Sequence, residues 1–106
     1  NDALGRAAQG HVQYLARIGD LTHTGADGSS VGQRMTAQGF VWGAAGENAA
    51  AGRDSMPATL AQWMGSPGHC RNMMGKHFRE VAVARQDNPG STYKHYWVMV
   101  LGTPMR

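Results

Sequence analysis

The chain has 106 residues, ten Lys/Arg against seven Asp/Glu for a net charge of +3, and one cysteine; that length holds one domain built on one core. A single cysteine excludes an intrachain disulfide and a cysteine-based zinc knuckle, and no apolar run approaches the roughly 18 to 20 residues of a membrane span. Basic residues are scattered apart from Arg71, Lys76, His77 and Arg79, a cluster too short, without a motif, to make nucleic acid the expected partner.

From Asp2 to Ile18 the set Ala3, Leu4, Ala7, Ala8, His11, Tyr14, Leu15 and Ile18 recurs at three- and four-residue steps, which predicts a helix with one apolar face. Asn1 or Asp2 can cap it and Gly19 can end it. His11 falls on the apolar face and reads as a hydrogen-bonded core histidine. Leu21 to Ser30 is a run of turn formers around His23 and reads as a loop. Ser30 and Gln33 have capping-box spacing, so a second helix is expected from Val31 to about Gln38, stopping at Gly39.

Phe40-Val-Trp42 is a short β-prone run, and Gly43 to Gly52 is almost entirely Gly and Ala apart from Glu47 and Asn48. Small neighbours let the backbone approach closely around one carboxylate, so Glu47 reads as a candidate for burial against a partner. Ser55 can cap a third helix with Pro57 in its first turn and Leu60, Trp63 and Met64 as its stripe. Gly65 breaks it, and Ser66-Pro67 starts a short fourth helix with His69 in its first turn. Glu80 to Ala84, a turn at Asn88-Pro-Gly90, and Tyr93 to Leu101 read as an antiparallel hairpin. Helices first and strands last, without βαβ alternation, predict an α+β domain with helices covering the sheet.

Three residues stand apart chemically: His23 in its polar loop, Glu47 among small residues, and His69 after Ser66-Pro-Gly. Two imidazoles and a carboxylate suit either a divalent metal or proton transfer. Their spacing matches no local metal rule. Cys70 beside His69 reads as a small side chain, because adjacent helical residues point about 100° apart.

The segments His23-Thr-Gly-Ala-Asp-Gly-Ser-Ser-Val-Gly-Gln-Arg34, Gly46-Glu-Asn-Ala-Ala-Ala-Gly52, Trp63-Met-Gly-Ser-Pro-Gly-His69 and Tyr96-Trp-Val-Met-Val-Leu-Gly102 occur in order along nearly the whole chain. Together they resemble the cysteine-poor bacterial branch of the CAP superfamily, the SCP domain of cysteine-rich secretory proteins, antigen 5 and pathogenesis-related proteins. The resemblance implies an α-β-α sandwich with a small, mainly antiparallel sheet between helices, and a cleft in which His23, Glu47 and His69 take the places of the family's first histidine, its Gly-Glu-Asn glutamate and its second histidine. It also implies a secreted or periplasmic location and, in some members, a divalent ion such as zinc held there.

Three departures stand out. The second glutamate of many eukaryotic members has no counterpart in Met64-Gly65-Ser66, Cys70 replaces the arginine usual after the second histidine, and the family begins with residues before Asn1, so residues 1–106 are expected to be a single domain lacking an N-terminal segment. Arg34, Asn48 and Ser66 are assigned structural support, with Glu80 the acidic partner to test for Arg34. Trp63, Tyr96 and Trp97 are assigned to the core.

The leading expectation is a binding domain whose His/Glu cleft takes a divalent metal and a small-molecule, lipid or cell-envelope ligand, leaning away from an enzyme. One alternative is a metal-dependent hydrolase in which His23, Glu47 and His69 are the catalytic candidates. The other is a structural or protein-interaction domain whose polar cluster ties loops together.

Overall fold

The computed structural model describes residues 1–75 and 78–105; Lys76 and His77 of the short basic cluster lie outside the described residues. The order is α1 (Asp2–Ile18), α2 (Val31–Ala37), β1 (Trp42–Ala51), α3 (Met56–Met64), α4 (Pro67–Met74), β2 (Glu80–Asp87) and β3 (His95–Pro104). The caps explain the helix bounds. Asn1 Oδ1 accepts from the Leu4 amide, Gly19 closes α1 at φ 68°, and Ser30 and Gln33 form the reciprocal capping box of α2. Ser55 caps α3, while Ser66 at the start of α4 makes no side-chain cap.

The sheet has order β1-β3-β2, with β3 antiparallel to both neighbours. β3 alternates strictly between two cores, as a central strand with both faces covered must. Tyr96, Val98 and Val100 pack with Leu4, Ala8, Val12 and Leu15 of α1. Trp97, Met99 and Leu101 pack with Trp63 on the α3 and α4 side. Trp63, Tyr96 and Trp97 are all buried, and the α1 face holds the first core through side chains worth about 1.5 to 3 kcal/mol each when fully buried. The result is the expected α+β, α-β-α sandwich.

β1 is the main departure in detail. The strand begins only at Trp42, the last residue of the β-prone run, and spans the Gly/Ala stretch to Ala51, with an irregularity at Gly43. Gly and Ala are weak strand formers, yet pairing with β3 and close packing override propensity. Gly46 shows the reason for small size: a Cβ there would stand 2.7 Å from Phe78 Cζ. β2 runs past Ala84 to Asp87, and β3 starts at His95 after Lys94 at φ 68°.

Candidate functional site

β1 brings two chemistries to opposite layers. Glu47 has the same parity as Ala45, Ala49 and Ala51, which pack in the α1 core, whereas Asn48 shares parity with Ala50 of the Trp63 core. Glu47 is 6% exposed and Asn48 fully buried.

On the α1 side, Arg34 Nη2 donates to Glu47 Oε2 at 2.6 Å and His23 Nδ1 to Oε1 at 2.8 Å. Arg34 Nη1 also donates to the carbonyls of Ser29 at 2.6 Å and His23 at 3.1 Å, so one guanidinium clamps both the carboxylate and the loop that carries His23. Arg34 therefore pairs with Glu47. Glu80, the acidic partner proposed for it, instead accepts from Asn1 Nδ2 at 3.1 Å.

His11 joins this cluster. Its Nε2 lies 2.7 Å from the Thr22 carbonyl and 3.5 Å from Glu47 Oε1. The carbonyl accepts only, so Nε2 carries the proton and the buried Nδ1 is left without a partner among the described residues. Burial pushes the His11 pKa below its usual value against the pull of Glu47. His23 shifts upward because its hydrogen bond to Glu47 favours the imidazolium. The core reading of His11 holds. What periodicity left out is that the same face aims this ring at the loop and at Glu47.

On the α4 side, Asn48 Nδ2 donates to the His69 carbonyl at 3.2 Å, and Asn48 Oδ1 accepts from Asn72 Nδ2 at 2.9 Å. Asn72 also donates to the Glu47 carbonyl at 3.3 Å. These bonds dock α4 against β1. Asn72 escaped sequence reading, and its one signal was its place one helical turn after His69. The His69 side chain bonds Ser66 instead, Nδ1 to Oγ at 2.9 Å. Thus the structure joins His23 with Glu47, and brings His69 to the β1 edge through its backbone.

This arrangement does not fit a three-ligand metal centre. Both Glu47 oxygens are engaged, one of them by a guanidinium that already neutralises the carboxylate, and among the described residues no group of three or more His, Cys, Asp or Glu side chains could hold an ion.

Beside the cluster lies a groove of about 420 Å³ lined by Leu21, Ala49, Ala50, Ala51, Gln62, Trp63, Ser66, His69 and Tyr93. Trp63 Nε1 donates to the Ala49 carbonyl at 3.1 Å, fixing the indole against the strand edge. Fold and site together define an α-β-α sandwich with a cleft along its edge strand.

The profile of the cysteine-rich secretory protein family, CAP, matches residues 1–101, and the chain belongs to that family. No curated protein matches it in sequence. Among solved structures it is similar to an outer surface protein from Borrelia burgdorferi, with 21% identity, a TM-score of 0.83, and 99% of this chain and 76% of that one covered. It also resembles an extracellular SCP-domain protein from Bacillus anthracis, at 24% identity and TM-score 0.77, covering 95% of this chain and 32% of that one. A cysteine-rich secretory protein from Staphylococcus aureus superposes with TM-score 0.69 at 14% identity, over 97% of this chain and 31% of that one. The chain thus spans about a third of the latter two. At these identities the likeness shows the fold. Among the described residues no helix is long and apolar enough to cross a membrane.

Proposed function

We propose that this chain is an exported binding domain that takes a small apolar molecule, such as the acyl part of a lipid or cell-envelope compound, in the groove beside β1. The observation that carries the reading is the groove's lining. Leu21, Ala50, Trp63 and Tyr93 offer apolar walls, and Gln62, Ser66 and His69 supply a few polar groups for orientation. Export is supported by the outer surface, extracellular and secretory character of the similar structures.

In this reading Glu47 is an anchor. His11 holds the Thr22 carbonyl and Glu47 holds His23, so the residues immediately after Leu21 are tied to the core while Leu21 forms part of the groove wall. The cluster's commitment to hydrogen bonds favours this supporting role over a metal-bound nucleophile. Titration with hexanoate, followed by tryptophan emission, tests the proposal. A saturable change that weakens at least about tenfold in Leu21→Asp, as one buried apolar contact of 1.4 kcal/mol or more requires, is expected. A flat titration of the folded protein removes the reading.

A further inference from the structure

We infer that Ser66 and His69 form a nucleophile–base pair that hydrolyses carboxylic esters of short apolar acyl groups in this groove. The inference rests on the groove being a ligand site and adds a reaction to it.

Ser66 sits at the N-cap of α4, where a serine hydroxyl ordinarily accepts from a backbone amide of the first turn. Here it makes no such bond. Its Oγ lies 2.9 Å from His69 Nδ1 instead, within the range for a nucleophile and its base. Both side chains line the groove and are half-buried, so the pair is reachable. Diverting the hydroxyl has a second consequence. Cys70 N donates to the Ser66 carbonyl at 2.8 Å, but the first-turn amides of Gly68 and His69 keep no side-chain cap. They point out of the N-terminus of an eight-residue helix, beside the position where negative charge would develop on an acyl carbonyl bonded to Ser66. The buried Asn48 holds the His69 carbonyl, which fixes the base on its helix.

The chemistry balances with water as the only co-reactant. Ser66 Oγ attacks the ester carbonyl carbon while its proton passes to His69 Nδ1. The carbon–alkoxy bond then breaks, and the leaving oxygen takes that proton to depart as an alcohol. Water attacks the resulting acyl-Ser66, giving a proton to His69. The bond to Ser66 breaks, Oγ recovers the proton, and a carboxylic acid leaves.

A fluorophosphonate probe and p-nitrophenyl butyrate test the assignment. Intact and peptide mass spectra are expected to show a phosphonyl group on Ser66 of the folded protein and none in Ser66→Ala. His69→Gln should slow both labelling and butyrate release by about 100-fold or more, the scale of general-base assistance. Because Ser66 caps no amide, Ser66→Ala should keep the wild-type melting temperature, separating lost chemistry from lost folding. The inference is overturned if folded protein takes no adduct on Ser66, or if His69→Gln labels at the wild-type rate. Hexanoate titration distinguishes the two levels: saturable binding without a Ser66 adduct leaves the binding domain standing and removes the reaction.

Discussion

Glu47 and Asn48 are consecutive in the chain but serve opposite layers of the sandwich, Glu47 anchoring Arg34 and His23 and Asn48 anchoring the His69 carbonyl and Asn72. Strand alternation produces this split, and it divides the family's Gly-Glu-Asn motif into two locks on either side of one edge strand. The Asn48 lock reaches the groove through His69, which lines it, and the Glu47 lock reaches it only through the loop that follows Leu21.

The Arg34–Glu47 pair should behave as a buried ion pair. Glu47 is 6% exposed, and removing its cation leaves a carboxylate with no equivalent partner. Arg34→Met is expected to cost about 3 to 5 kcal/mol in urea unfolding. Arg34→Met combined with Glu47→Met should cost less than the sum of the single changes, and strict additivity would show that the two side chains are not coupled.

The two histidines around Glu47 predict opposite pH effects. The raised pKa of His23 means that its stabilisation is full below its ordinary value of 6.5 and is lost as pH rises through the raised value. His23→Ala should therefore cost more at about pH 5 than at about pH 9, by an amount that solvent screening of its outward side keeps modest. His11 is depressed from 6.5 by burial, so the unfolded chain binds its proton more readily and stability falls as pH drops below 6.5 toward the lowered value. His11→Gln should flatten that acid loss. Urea midpoints of the three proteins across pH measure both effects.

Zinc offers a direct check on the split site. If His23 and His69 do not share an ion, any rise in melting temperature on adding zinc will be unchanged by His69→Ala. A zinc effect that vanishes in that variant would mean that the two histidines meet around a metal.

Gly32 provides a packing test away from the groove. A Cβ there would enter the Trp42 ring, whose Nε1 donates to the Gly32 carbonyl at 2.9 Å and reaches Thr36 Oγ1 at 3.1 Å. Both bonds come from the one indole N–H, which pins that edge of the ring against α2 and resists its withdrawal. Gly32→Ala should cost about 1 to 3 kcal/mol despite the better helix propensity of alanine. Denaturant unfolding measures it, and an unchanged midpoint would show that Trp42 moves freely.

Local signals in the sequence determined much of this protein: the period of α1, the Ser30–Gln33 capping box, the Ser55 cap, the glycine stops, and the β-rich tail that became β2 and β3. Each depends on residues within a few positions of one another, where periodicity and capping act. Residue chemistry marked His23, Glu47 and His69, and resemblance to the family gave the reason to bring them together.

Their relationships needed the tertiary structure. Arg34 chose Glu47 over Glu80, because β1 extends through the Gly/Ala stretch and carries Glu47 beneath α2, while Glu80 meets Asn1 at the start of α1. His11 and Asn72 entered the two locks because helix faces meet the strand there. His69 turned to Ser66 rather than to Glu47. Long-range pairing sets which face of an edge strand a side chain occupies, and a one-residue change in parity exchanges a buried carboxylate for a buried amide.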